Sequence, residues 1–179
     1  MTNGARSGPA PIRRLKEVAG SGAGKTLNPQ SLARFGPIPS EAPVLVILAA
    51  GKGTRFGADP KCIQPVDGRP LARHSIEGFR RFRTAPVICV VGYRHEEVSA
   101  ALGDDNTYVL SDDPAGGTAL AAFEALTAPG LLEANPPIII TMGDRIVPAT
   151  VFRRLWDTHR AGSREADLTF LTAQYEPPR

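Results

Sequence analysis

The sequence is short of cysteine and of long apolar runs, and each shortage excludes something. Two of its 179 residues are cysteine, Cys62 and Cys89. Their spacing is not that of metal ligands, and two thiols cannot build a disulfide framework. Cys89 falls in an apolar segment and reads as a buried strand residue, so a reducing, cytoplasmic setting is the default. No stretch is long and apolar enough to span a membrane. The N-terminus lacks the apolar central region of a signal peptide. An excess of positive charge on the folded part is missing too. The net charge is +3, but residues 1–43 hold six cations against two acids, a net +4 that leaves −1 for the remainder. The basic character belongs to the leader, which excludes nucleic acid as the expected partner of the domain.

What is present centres on residues 44–61, VLVILAAGKGTRFGADPK. Val44 to Leu48 form a short continuous apolar run rich in β-branched residues, the pattern of a strand buried on both faces. Leu48, Ala49 and Ala50 lead into Gly51 and Gly53, with Thr54, Arg55 and Lys61 after them. Small residues let backbone N–H groups approach an anion closely. Two cations on the rim suit a polyphosphate. The pattern is not the dinucleotide fingerprint, because the next glycine after Gly53 is Gly57, one position late, and no G-K-[ST] is placed for a P-loop. Ala19 to Thr26, AGSGAGKT, looks like a relaxed P-loop, but no apolar strand precedes it and Asn28-Pro29 stands where a helix should run.

The run Leu48 to Arg55 (L-A-A-G-x-G-T-R), followed by Pro60-Lys61, resembles the signature loop of the sugar-phosphate nucleotidyltransferase family, in particular the N-terminal domain of GlcNAc-1-phosphate uridyltransferases and, more distantly, the MobA-like NTP transferases. The resemblance implies that Leu48, Ala49, Ala50, Gly51, Gly53, Thr54 and Lys61 contact a nucleotide. It also implies that Arg55 and Lys61 carry the catalytic positive charge.

Downstream, strand and helix patterns alternate. Strands are expected at 44–49, 86–91, 107–110, 137–142 and 167–173, with helices between them. Asp67-Gly68 marks a turn. Leu71, Ile76 and Phe79 fall near one helical face, and 94–102 and 149–160 read as amphipathic helices. Buried strands joined by helices predict a mostly parallel, three-layer α/β sheet. The resemblance adds a Rossmann-like, GT-A-like nucleotidyltransferase fold, apparently truncated to its nucleotide-binding half. The expected organisation is a flexible, basic, Gly/Pro-rich leader at 1–43 and a nucleotidyltransferase domain at 44–179.

Two further segments carry chemistry. Gly117 and Thr118 open a helix, where a threonine is ordinarily an N-cap; by the resemblance both touch the nucleotide. Asp112 stands six residues before Thr118, where the uridyltransferase pattern has a base-reading glutamine. A carboxylate only accepts hydrogen bonds, which suits guanine or cytosine better than uracil. Asp144 follows the apolar strand Pro137–Met142. It is either a turn residue or, at the carboxyl end of a strand in an open sheet, a metal ligand. The resemblance implies that it binds Mg²⁺. The expected reaction is transfer of NMP from an NTP, with UTP favoured and GTP or CTP as alternatives, to a phosphorylated acceptor such as a sugar 1-phosphate. A MobA-like guanylyltransferase and a non-catalytic nucleotide-binding domain are the rival readings.

Overall fold

A computed structural model describes residues 25–28, 38, 41–53, 57, 59–113, 116–162 and 168–172. In chain order its elements are β1 (Lys25–Thr26), β2 (Val44–Ala49), a 3₁₀ turn (Lys61–Ile63), β3 (Pro65–Val66), β4 (Arg69–Pro70), α1 (Leu71–Phe82), β5 (Val87–Val91), α2 (His95–Leu102), β6 (Thr107–Leu110), α3 (Gly117–Leu126), α4 (Leu131–Ala134), β7 (Ile138–Met142) and α5 (Ala149–Gly162).

The sheet runs β1-β6-β5-β2-β7. β6, β5, β2 and β7 are parallel, and β1 joins β6 antiparallel at one edge. The α/β class and the mostly parallel sheet are as expected. β2 is fully buried because its side chains serve two cores at once. Leu45, Ile47 and Ala49 pack beneath α1, α2 and α5 with Ile76, Phe79, Leu102 and Phe152. Val44, Val46 and Leu48 point the other way, toward Ala121 and Ala125 of α3 and Leu131 of α4. A strand between two helical layers cannot alternate apolar with polar, which is why the sequence there is a continuous run. Phe79 meets Phe152 edge to face with ring centroids 5.5 Å apart, tying α1 to α5.

The chain passes from β2 to β5 to β6 on one side, then returns to place β7 on the other side of β2. That reversal makes a crevice at the carboxyl ends of β2 and β7, the usual ligand position in an open α/β sheet.

Two features depart from the sequence reading, and a third, the expected Asp67-Gly68 turn, gains a hairpin around it. The strand expected at 167–173 is not formed over its described part: residues 168–172 are irregular, and Leu168, Phe170 and Leu171 are 67%, 75% and 62% exposed. Asp167 and Ala173 lie outside the described residues. Alternating apolar residues fit a pleated strand, but a strand also needs a neighbour to take its N–H and C=O groups. Part of the expected leader is docked: β1 pairs with β6, and Asn28 Oδ1 accepts from Tyr108 N–H at 2.8 Å while its Nδ2 donates to Asn106 O at 2.8 Å. Lys25 and Thr26 of the P-loop-like stretch are therefore strand residues. Finally, the Asp67-Gly68 turn closes a hairpin of β3 and β4, with φ of 48° and 74° at its two central residues. Both angles are positive, which the Asp-Gly pair tolerates.

Candidate functional site

At the end of β2 the backbone runs out of the sheet through Ala50, Gly51 and Lys52 to Gly53. Gly53 sits at φ 60°, and a Cβ there would lie 3.3 Å from Lys61 Cβ. The glycine lets the loop return close to the lysine. Lys61 heads the 3₁₀ turn, and its Nζ donates to Asp144 Oδ2 at 2.8 Å. Both side chains are about 30% exposed, at 29% and 30%. The Lys61 hydrogen bond, opposed by partial burial, holds the Asp144 carboxyl below the ordinary carboxylate range. Arg145 Nε lies 3.7 Å from Asp144 Oδ1 and acts in the same direction.

Asp144 is delivered by the turn after β7, and that turn is held from two sides. Gly143 N–H donates to Leu48 O at 2.8 Å, so β2 and β7 remain paired up to the site. A Cβ on Gly143 would meet Ala49 Cβ, Cys62 Cβ and Leu48 O, each at 3.1 Å. On the far side, the fully buried Ser75 of α1 donates to Arg145 O at 2.7 Å and accepts from Val147 N–H at 2.9 Å. One turn on, Gly78 lets Val147 O approach to 2.4 Å from where a Cβ would stand. The helix thus fixes the segment after Asp144 through one hydroxyl and one missing side chain. Cys62 is also packed here, and burial pushes its thiol up to about 11, so it is no nucleophile at neutral pH.

At the carboxyl ends of β2 and β7 lies a cavity of about 140 Å³, whose lining does not include Lys61 or Asp144. The end of β2 contributes Leu48, Ala50 and Gly51; the first turns of α3 contribute Gly117, Thr118 and Ala121. Ser111, Asp113 and Met142 close it. Gly117 has φ 82°, and the N-cap of α3 is Gly116, so Thr118 lies inside the first turn and is not the N-cap. Ser111 is 3% exposed, and its hydroxyl has no hydrogen-bond partner among the described residues. A larger depression of about 260 Å³ lies over the start of α2, lined by Arg94, His95, Glu96 and Glu97. It is built from no strand end, and we assign the site to the smaller cavity.

The structure thus brings Leu48, Ala50, Gly51, Gly117 and Thr118 together around one cavity, with Lys61 and Asp144 paired beyond the ends of the same two strands. Ala49 is buried beneath them, and Gly53 shapes the loop. Asp112 is exposed and does not line the cavity; Asp113 does, and with Ser111 it was not anticipated. Thr54 and Arg55 lie outside the described residues. Among the described residues no cluster of three or more His, Cys, Asp or Glu could hold a metal, and no helix is long and apolar enough to cross a membrane.

A parallel α/β sheet whose glycine loop, lysine and aspartate meet at its switch point has the form of a nucleotidyltransferase. The chain belongs to the MobA-like NTP transferase domain family, whose model matches residues 45–178. It is 36% identical over 135 residues to bifunctional protein GlmU of Geobacillus sp. (strain WCH70), covering 74% of this chain and 28% of that protein. It therefore spans less than a third of the length of this curated relative. Among solved structures it is similar to an Rv0371c homologue from Mycobacterium sp. strain JC1, with a TM-score of 0.54, 25% identity and coverage of 66% and 59% of the two chains. Rv0371c of Mycobacterium tuberculosis H37Rv, solved as a complex with manganese, gives a TM-score of 0.51 at 24% identity, covering 66% and 60%.

Proposed function

We propose that this domain transfers a nucleoside monophosphate from an NTP to a phosphorylated acceptor, a sugar 1-phosphate in the first instance, with release of pyrophosphate. An acceptor phosphate oxygen forms a bond to the α-phosphorus in line as the bond to the β-phosphate oxygen breaks. Such a step needs positioning and charge neutralisation more than a covalent partner. The loop backbone at Gly51 and Gly53 would cradle the phosphates, with Arg55 on the leaving pyrophosphate and Lys61 on the α-phosphate. Gly117 and Thr118 would contact the nucleoside. The observation that carries this reading is the Lys61–Asp144 pair, which stands beyond the ends of β2 and β7, the strands whose ends also line the cavity through Leu48 and Met142.

Asp144 is an ionised oxygen donor, which suits a hard divalent ion, and one carboxylate is enough where substrate phosphates supply the other ligands. Mg²⁺ is the ion we assign, the manganese complex of Rv0371c being consistent with a divalent cation in a protein of this fold. The chemistry supplied by the bound ion would be neutralisation of phosphate charge. Asp144 would hold and orient it, while Lys61, released from the carboxylate, would turn to phosphate.

UTP is the donor implied by the family pattern. A second reading is favoured by Asp113 in the cavity. Its carboxylate can only accept, which fits the N–H groups of guanine or the amino group of cytosine. A pyrophosphate-release assay with each NTP and a panel of sugar 1-phosphates tests both readings. UTP-dependent release supports the sugar reading, GTP or CTP preference the second. No release with any pair, together with no NTP binding, would remove the enzyme assignment.

A further inference from the structure

We propose that the turn between β5 and α2, residues 92–94, is a clamp that positions the glycine loop by gripping it near its start, at Ala50 and Lys52, and near its end, at Asp59. Three contacts carry it. Tyr93 N–H donates to Ala50 O at 3.1 Å, where the loop leaves β2. Lys52 Nζ lies over the Tyr93 ring, 5.9 Å from its centroid. Arg94 Nη1 pairs with Asp59 Oδ1 at 2.6 Å, two residues before Lys61. The first two contacts hold the loop's start and the third holds its end.

Arg94 reaches Asp59 from a backbone conformation that side-chain-bearing residues seldom adopt. Its φ is 51° and its ψ 44°, in the left-handed region. Such a conformation persists where surrounding contacts over-determine it. Here His95 N–H bonds Gly92 O at 3.1 Å and Val98 N–H bonds Arg94 O at 3.1 Å, fixing the backbone on both sides. Arg94 also pairs with Glu97 on its own helix. That second carboxylate keeps the guanidinium at the start of α2, facing the loop. A loop whose ends are already fixed loses less freedom when a ligand arrives, so the clamp acts on affinity through preorganisation. Arg94 and Asp59 are thus positioning residues. The consequence for nucleotide affinity rests on the proposed function; the consequence for loop order does not.

The test uses Asp59→Asn, Arg94→Asn, the double variant, and the charge exchange Asp59→Arg with Arg94→Asp. Asn and Asp both tolerate the left-handed conformation, so the backbone at 94 is not newly strained. Two readouts are taken: amide hydrogen exchange in peptides covering residues 50–53 and 59–64, and calorimetric titration of the NTP preferred by the wild type, with Mg²⁺. Each single variant is expected to speed exchange in both peptides and weaken NTP binding about two- to fivefold, the range of a solvent-accessible ion pair. The double variant should lose no more than either single variant, and the charge exchange should recover most of the loss. Exchange unchanged in the single variants, or losses that simply add in the double variant, would overturn the clamp. If the wild type binds no NTP, the proposed function fails alone, and the exchange data still decide on the clamp.

Discussion

Lys61 Nζ donates to Asp144 Oδ2 at 2.8 Å, so a metal arriving at that oxygen competes with the ammonium. Replacing Lys61 with methionine removes that competitor and keeps most of the side-chain volume. Coulomb's law at this distance gives roughly 1.5 kcal/mol in bulk water and roughly 6 at an effective dielectric constant of 20. Measured solvent-accessible pairs fall at about 0.2–1 kcal/mol. With both side chains about 30% exposed (29% and 30%), the upper end of the measured range is the better guide. About 1 kcal/mol corresponds to about a fivefold change in a binding constant. Lys61→Met should therefore bind Mn²⁺ alone about fivefold more tightly than wild type, read by water-proton relaxation. The same variant should bind the NTP–metal complex more weakly, because the phosphates lose a cation. Asp144→Asn should lose binding of Mn²⁺ alone. Unchanged or weaker Mn²⁺ affinity in Lys61→Met would refute the competition and remove Asp144 as the seat of the metal.

The same pair has a signature in stability against pH. The Asp144 carboxyl is held below its ordinary range by Lys61, so the pair contributes stability that is fully present above an unfolded value of about 3.9 and is lost as pH falls through the lower folded value. Urea unfolding should show the wild type ahead of Lys61→Met at neutral pH and the gap closing in acid. Ser75→Ala removes two hydrogen bonds to the segment after Asp144, and should cost about 1–3 kcal/mol in urea unfolding and also weaken Mn²⁺ binding. Gly78→Ala puts a methyl against Val147 O at 2.4 Å, backbone that cannot step aside, and should cost about 1–3 kcal/mol by the same assay. Burial pushes the Cys62 thiol up to about 11 and the Cys89 thiol up to about 12, so neither should react with iodoacetamide at pH 8 until the protein unfolds.

Much of the architecture was legible because the core strands are short apolar runs and α1 and α5 carry apolar stripes. Val44–Ala49 could only be buried on two sides, and Leu71–Phe82 shows its inner face in Ala72, Ile76 and Phe79. The segment 168–172 misled because periodicity reports a side-chain pattern and says nothing of a pairing partner. β1 was missed because two residues with no apolar pattern are held by backbone bonds and by Asn28, which matches the free edge of Tyr108 as a neighbouring strand would. In the site, glycines and charges with fixed spacing were readable. Which of Ser111, Asp112 and Asp113 faces the cavity was not. It depends on how the chain turns after Ser111 N–H makes a last bond to Val91 O at 2.7 Å, and no periodicity continues past that point. Ser75 left a faint trace, a hydroxyl on an apolar helix face, which commonly has a backbone partner elsewhere. That the partner lies at 145–147 is a tertiary fact.

The measurement to make first is calorimetric titration of the protein with UTP, GTP, CTP, ATP and dTTP, with and without Mg²⁺. A nucleotidyltransferase site built on the glycine loop, Lys61 and Asp144 predicts binding that requires the metal, prefers one base and is lost in Asp144→Ala. Absence of binding by every nucleotide, or binding indifferent to Mg²⁺ and to Asp144, would contradict it.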